Sequence, residues 1–180
     1  MKCATLRELE KQIPECTNCS LHETAIQKVI RKGSDHPAVL FIGEAPGKNE
    51  DETGVPFCGR AGKVLDSMIE YMELENGKWA VINTIKCRPP NNRTPHKKEI
   101  QTCRTFLEQQ IYLLKPRVII LLGNTAEAAF IGKGIFEWGE CREIQGNQVL
   151  KLYHPAALIY TKSRTLEQHK FIDNNRKLWE

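Results

Sequence analysis

Four cysteines stand in two groups whose spacing could hold a metal. Cys16 and Cys19 form a C-x2-C pair, and Cys87 and Cys103 follow further along the chain. A C-x2-C pair supplies two corners of a tetrahedral thiolate site, and four thiolates bind either structural zinc or an iron-sulfur cluster. The sequence therefore predicts a four-cysteine metal site, while the spacing leaves zinc and iron open.

Three further cysteines bring the total to seven. An odd number in a reducing compartment does not indicate a disulfide framework. A single cysteine is most often a small buried apolar side chain. We expect Cys3, Cys58 and Cys141 to be packing residues of this kind.

Six basic side chains and no acidic one lie in residues 86–98. These are Lys86, Arg88, Arg93, His96, Lys97 and Lys98. Such a run is often only a solvated face. Cys87 and Cys103 bracket this one, however, so a metal site would hold the loop rigid, and rigid basic loops suit nucleic-acid phosphates. Arg88 and Arg93 are the candidate DNA contacts.

Polar residues stand at the ends of four short apolar runs. These residues are Glu44, Asn83, Asn124 and His154. In open α/β sheets, ligands bind at the carboxyl ends of the strands. We therefore expect these four side chains to share one rim of a sheet.

The apolar runs themselves predict strands that are buried on both faces, because they are rich in Val, Ile and Leu and do not alternate cleanly. They cover residues 38–43, 80–85, 117–123 and 149–153. Helical patterns precede, separate and follow them, at residues 6–13, 60–72, 95–114, 125–131 and 165–179. This alternation predicts an α/β fold, a three-layer α/β/α sandwich with a central four-stranded parallel sheet. The sequence does not distinguish helix from strand in residues 132–147.

Length and composition limit the class of protein. The 180 residues fit one domain, and 41% hydrophobic and 27% charged residues are ordinary for a globular chain. No apolar run reaches the roughly 18 residues that cross a membrane. The start of the chain lacks a secretory pattern, so we expect a cytoplasmic protein. A net charge of +4 permits a nucleic-acid partner if the charge is concentrated on one face.

Several motifs together resemble family 4 uracil-DNA glycosylases, the iron-sulfur class. They are Cys16-x2-Cys19, Gly43-Glu44-Ala45-Pro46-Gly47-x2-Glu50-Asp51, Gly54-x-Pro56-Phe57-x-Gly59-Arg60-Ala61-Gly62, Asn83-x2-Lys86-Cys87-Arg88-Pro89-Pro90-Asn91-Asn92-Arg93-Thr94-Pro95, Cys103 and His154-Pro155-Ala156-Ala157-Leu158. Each piece alone is weak, but their order along nearly the whole chain is specific.

The resemblance implies a cofactor and a reaction. The cofactor is a structural [4Fe-4S] cluster on Cys16, Cys19, Cys87 and Cys103, within a single domain of residues 1–180 whose cluster-binding segment covers about residues 1–37. The reaction is hydrolysis of the N-glycosidic bond of uracil in DNA, which leaves an abasic site for base excision repair. The expected partner is uracil-containing DNA. We expect a monomer, and a sliding clamp is a further candidate partner.

The resemblance also implies roles for residues around a flipped base. Phe57 stacks on the uracil ring, Asn83 pairs with its N3–H and O4, and His154 hydrogen-bonds O2 as negative charge develops there. Gly43, Glu44 and Ala45 form the motif that contacts the base and the attacking water. Whether Glu44 acts as a general base or only positions that water is open.

Two further residues concern specificity and DNA distortion. Glu50 corresponds to a residue near uracil C5 that helps to exclude the thymine methyl group. Leu158 is the candidate wedge that fills the base stack. It is followed by Ile159 and Tyr160 where the family pattern has a basic residue and proline, so either of these is an alternative wedge.

Two other readings keep part of the pattern. A non-catalytic nucleic-acid-binding module with a zinc or iron-sulfur site explains the cysteines and the basic loop. It gives Glu44, Asn83 and His154 no joint purpose. An iron-sulfur electron carrier on a flavodoxin-like scaffold is disfavoured because no redox-partner motif is present.

Overall fold

The computed structural model describes residues 3–180 and contains one six-stranded sheet. The strands are β1 (Lys32–Gly33), β2 (Val39–Gly43), β3 (Trp79–Asn83), β4 (Val118–Leu122), β5 (Cys141–Ile144) and β6 (Asn147–Leu152). They lie in the order β1-β3-β2-β4-β6-β5. The four middle strands are parallel, as predicted, and antiparallel β1 and β5 flank them.

Seven α-helices connect or flank the strands within the described chain. They are α1 (Leu6–Gln12), α2 (Lys48–Thr53), α3 (Arg60–Tyr71), α4 (Lys97–Leu114), α5 (Asn124–Phe130), α6 (Pro155–Leu158) and α7 (Lys162–Asn175). Five of them match predicted helices to within a few residues. The two short ones, α2 and α6, lie directly after strand ends and were not predicted.

Two hydrophobic clusters cover the two faces of the sheet. Alternate residues of β2 point to opposite sides, so Phe41 joins a cluster with α3 and α7, while Leu40 and Ile42 join one with α4 and α5. All of these strand residues are fully buried. The α/β/α class is therefore confirmed. The predicted strand count was too low, because β1 has two residues and β5 is half exposed and lacks an apolar run.

The register of the parallel strands forms the rim. Gly43 is paired with Asn83, so the last residues of β2 and β3 are neighbours. Gly123 donates its N–H to Leu152 O, which brings the end of β4 beside the start of the His154 segment. Within residues 3–180, none of the helices combines the length and apolar character needed to cross a membrane.

Candidate active site and cysteine site

One cavity of about 320 Å³ lies at the carboxyl ends of the parallel strands. Its lining residues are Glu44, Ala45, Pro46, Gly47, Glu50, Phe57, Ala61, Asn83, Pro89, Asn92, Arg93, His154 and Ala156. Six of the predicted base-contacting residues are thus brought together. Asn124 does not line the cavity, because it is the first residue of α5 and is exposed.

Asn83 carries a buried amide that lacks a protein partner. The residue is 2% exposed, and no group of the described chain donates to its Oδ1 atom. Gly43 makes this arrangement fit, since a Cβ there would lie 2.6 Å from Asn83 Oδ1 and 2.5 Å from Phe57 Cζ. A buried polar atom without a partner is costly, so it is often satisfied by a ligand or water.

Phe57 is held beside that amide by a strained loop. Its φ of 52° lies in the left-handed region, which is costly for a residue with a side chain. Glu50 fixes the loop, because its Oε1 accepts hydrogen bonds from the backbone N–H groups of Cys58 and Gly59, both at 3.1 Å. The other oxygen accepts from Gly47 N at 3.0 Å. Both oxygens of Glu50 therefore hold backbone around Phe57.

Glu44 is oriented by two threonines outside the predicted site. Thr125 Oγ1 donates to the Glu44 carboxylate, and Thr84 Oγ1 donates to the Glu44 backbone oxygen. Thr125 follows Asn124, the residue predicted to lie on the rim after β4, so Thr125 rather than Asn124 contributes a side chain to the site there. The hydroxyl fixes one carboxylate oxygen and leaves the other available to the cavity.

His154 presents a neutral imidazole. Its Nδ1 accepts the backbone N–H of Ala156 at 3.2 Å, so the proton of the neutral ring is on Nε2. Burial lowers the pKa of His154 to about 4. The ring centroid lies 5.7 Å from that of Phe57. His154 can therefore donate one hydrogen bond into the cavity without carrying a charge.

We expect this protonation state to be visible by NMR. The ¹⁵N shifts of His154 should report the Nε2–H tautomer at neutral pH and a protonation midpoint near 4, against an ordinary value of 6.5. Since the unfolded chain takes up this proton first, folding stability should fall as the pH drops from about 6.5 toward 4. A His154→Gln spectrum assigns the signals. A midpoint near 6.5 would contradict the assignment.

The four predicted metal-binding cysteines surround a second cavity. Cys16, Cys19, Cys87 and Cys103 all line it. Burial raises the pKa of the Cys87 thiol to about 12 and also raises that of Cys103. Metal binding has to displace such protons. In the part of the chain that the structure describes, no three His, Cys, Asp or Glu side chains converge as ligands of a single ion.

The comparison with known families identifies the superfamily of this chain. Residues 30–179 match the profile of the Uracil DNA glycosylase superfamily. The chain belongs to this superfamily. The matched range contains all the residues that line the 320 Å³ cavity, together with Cys87 and Cys103.

Curated members of the glycosylase superfamily are similar over most of the chain. A Type-4 uracil-DNA glycosylase of Pyrobaculum aerophilum is 38% identical over 165 residues, which cover 86% of this chain and 84% of the relative. Type-4 enzymes of Archaeoglobus fulgidus and Thermotoga maritima are each 34% identical. Their alignments cover 87% and 89% of this chain, and 84% and 86% of the relatives.

The basic loop, residues 86–98, is more buried than its sequence predicts. Lys86 is 2% exposed, and burial lowers its pKa to about 8. Arg93 makes two hydrogen bonds to Glu99, at 2.6 and 2.9 Å. Arg88 Nε donates to Asn92 Oδ1 at 2.7 Å and is partly exposed. The exposed basic side chains of the loop are His96, Lys97 and Lys98.

Two expectations about single residues differ from the glycosylase structure. Leu158 is 6% exposed and packs in the core, so it cannot reach DNA in this conformation. Tyr160 is 79% exposed, with the Arg60 guanidinium 5.4 Å from its ring centroid. Cys58 is exposed, with Sγ 3.2 Å from Thr53 Oγ1, so its prediction as a packing residue is wrong.

Proposed function

We propose that this protein is a uracil-DNA glycosylase that flips uracil out of DNA and hydrolyses its N-glycosidic bond. The observation that carries the proposal is the unpartnered Oδ1 of Asn83 beside Phe57, inside the cavity of a superfamily member. A base within a duplex cannot be reached by a buried amide, so the nucleotide has to be extruded first.

The cavity suits the edge of uracil. The Asn83 oxygen can accept from uracil N3–H, and its NH₂ group can donate to O4. Cytosine has an unprotonated N3 and an amino group at these positions, so both contacts would be mismatched. Phe57 supplies a stacking surface, and the Nε2–H of His154 can donate to O2. The single amide of Asn83 therefore accounts for both the recognition of uracil and the rejection of cytosine.

The same residues support the departure of uracil. Cleavage places negative charge on the base and positive charge on the sugar. The neutral His154 donor stabilises the developing charge at O2. We assign Glu44, with the backbone of Ala45, to the attacking water. The hydrogen bond from Thr125 occupies one oxygen of Glu44 and aims the other, so positioning of water is the function that the geometry supports best.

We expect Thr125→Val to lower the single-turnover rate of uracil excision by about tenfold, because an isosteric valine leaves the Glu44 carboxylate without its donor and a misplaced group costs rate. Thr105→Val is the control, since Thr105 lies on α4, is exposed and does not line the cavity. A Thr125→Val rate equal to that of the control would show that Glu44 needs no orientation.

Glu50 supports specificity through the loop. Its carboxylate is used by three backbone N–H groups, so we assign it to hold Phe57 and Gly47 at the cavity wall. A fixed wall limits the space beside the base. Exclusion of the thymine methyl group then depends on the loop geometry that Glu50 maintains, rather than on a free carboxylate at C5.

The accessible side chains near the cavity suggest which residues contact DNA. Arg93 lines the cavity, and Arg88 donates a hydrogen bond to Asn92, which also lines it. Both arginines are our proposed phosphate contacts, although Arg93 has to share its charge with Glu99. Tyr160 replaces Leu158 as the proposed wedge, because it is the exposed large side chain after α6. Aromatic rings stack well on bases.

We assign a [4Fe-4S] cluster to the cysteine site. The four thiols line one cavity, and curated relatives of this protein are Type-4 enzymes. When bound, the cluster would link the N-terminal segment, up to about residue 37, to the basic loop. A single domain, a monomeric state, a clamp partner and a cytoplasmic location stay predictions.

The experiment is excision from a uracil-containing oligonucleotide, followed by alkali cleavage at abasic sites. The purified protein should convert U·G and U·A substrates and leave C·G and T·A intact. Iron and acid-labile sulfide in equal amounts would support the cluster. Tight binding of the oligonucleotide without strand scission, in protein that contains the cluster, would instead favour a non-catalytic binding module.

A further inference from the structure

Lys86 lies between two cavities. One is the cavity lined by the four cysteines, the cysteine cavity. The other is the 320 Å³ cavity at the strand ends, the uracil cavity, which Asn83 lines. Its side chain is almost completely buried, and its ammonium donates a 2.6 Å hydrogen bond to the backbone oxygen of Asn83. Lys86 also lines the cysteine cavity together with Cys87 and Cys103. One residue therefore lies against the predicted cluster ligands and is hydrogen-bonded to the residue assigned to the base.

The ammonium of Lys86 has no carboxylate partner among residues 3–180. A buried charge needs an opposite charge nearby, because transfer out of water is costly. The four cysteines offer one. Four thiolates with either Zn²⁺ or a doubly charged [4Fe-4S] core carry a net charge of about −2. Lys28 and Lys86 both line this cavity.

The two lysines differ in one contact. The Lys28 charge acts on the Cys87 thiol, and the structure gives Lys28 no hydrogen bond to a strand within the described chain. Lys86 alone of the two is bonded to β3, at the carbonyl of its last residue. Since Asn83 is that last residue, the ammonium contacts the backbone from which the Asn83 amide projects.

We propose that Lys86 is a positioning residue that couples occupancy of the cysteine site to the placement of the Asn83 amide. The proposal rests on the proposed function, because it assigns Asn83 to the base. The negative cysteine site holds the ammonium in place, and the ammonium holds the end of β3. Loss of the metal group would release the ammonium and with it the amide.

The test compares Lys86→Met with Lys28→Met in the cluster-containing protein. Each variant removes one positive charge from the cysteine cavity, and only Lys86→Met also removes the hydrogen bond to Asn83. We expect both to release iron to a chelator severalfold faster than wild type. Lys86→Met should in addition lower kcat for uracil excision by about 10- to 100-fold with KM for the oligonucleotide within about threefold. Lys28→Met should leave kcat within about threefold of the wild-type value.

Lys86→Gln separates the two contributions and serves if the methionine variant does not fold. A glutamine amide keeps a donor for the Asn83 oxygen but lacks the charge. It should release iron as fast as Lys86→Met, and its kcat should lie between those of wild type and Lys86→Met, because the cysteine site no longer attracts the donor. Equal kcat values for wild type and Lys86→Met, or equal losses in Lys86→Met and Lys28→Met, would overturn the proposal. Wild-type excision tests the proposed function separately.

Discussion

Replacing Asn83 with alanine is expected to lower uracil excision by about 10³- to 10⁴-fold. The variant leaves both uracil N3–H and O4 without partners in the cavity, and each unsatisfied group costs roughly 1–3 kcal/mol. Together they give roughly 2–6 kcal/mol, and since each 1.4 kcal/mol is about tenfold, the upper half of this range corresponds to the expected loss. Single-turnover kinetics on a U·G oligonucleotide measure the effect.

The same substitution should leave the fold stable. Asn83 Oδ1 has no partner in the described chain, so the folded protein already carries the cost of a buried, unsatisfied acceptor. Its removal should change the free energy of unfolding by no more than about 1 kcal/mol. A large loss of stability would show that the amide serves the fold, and the loss of activity could not then be assigned to recognition.

Asn83→Asp is the matched variant, because it keeps the shape and removes the donor. A carboxylate only accepts hydrogen bonds, so it would oppose uracil O4 and suit the amino group of cytosine. We expect uracil excision to fall as far as in the alanine variant, and any new activity to appear on cytosine rather than thymine. Wild-type rates on uracil would refute direct reading of the base by Asn83.

The layers of the fold could be predicted from sequence because buried parallel strands and amphipathic helices have strong local patterns. The run that became β2 differs from the observed strand by one residue at one end, and the run that became β4 by one residue at each end. The edge strands β1 and β5 could not be predicted in this way. Their pairing depends on neighbouring strands, and neither has a continuous apolar pattern.

The placement of a candidate site residue could be predicted where a strand end fixes its side chain. Gly43 and Asn83 are opposite residues of paired strands, so the sequence motif and the register agree. The placement could not be predicted where a side chain can turn either way. Nothing in a basic run distinguishes exposed Lys97 from buried Lys86, and Leu158 becomes buried because the short helix α6 directs it into the core.

The second large effect is expected at a buried ion pair that does not line the uracil cavity. Lys151 Nζ contacts Glu127 Oε2 and Phe136 O, both at 3.0 Å, and lies 4.3 Å from the Trp138 ring centroid. Glu127 Oε1 accepts the N–H groups of Ile135 and Phe136 at 2.7 Å. This pair therefore holds much of the segment between α5 and β5, which lacks regular structure of its own.

Lys151→Met should lower the free energy of unfolding by about 3–5 kcal/mol, because it leaves a buried carboxylate without its cation. Urea denaturation measures this loss. The paired variant Glu127→Gln/Lys151→Met removes both charges and keeps an acceptor for Ile135 and Phe136, so it should recover most of the stability. If the single variant were as stable as the double variant, the pair would not be the element that holds this segment.

The dependence of stability on pH gives an independent check of the same pair. Burial alone would raise the pKa of Glu127, but the N–H of Phe136, the Lys151 ammonium and the N–H of Ile135 outweigh it and hold the pKa below its ordinary value of 4.5. A carboxyl whose pKa is lowered by folding stabilises the protein above its unfolded pKa and loses that contribution as the pH falls through the folded one. The wild type should therefore lose stability below about pH 4.5 more steeply than Glu127→Gln/Lys151→Met does. Because every other titrating group is common to the two proteins, parallel curves would mean that Glu127 is not held in its charged form by Lys151.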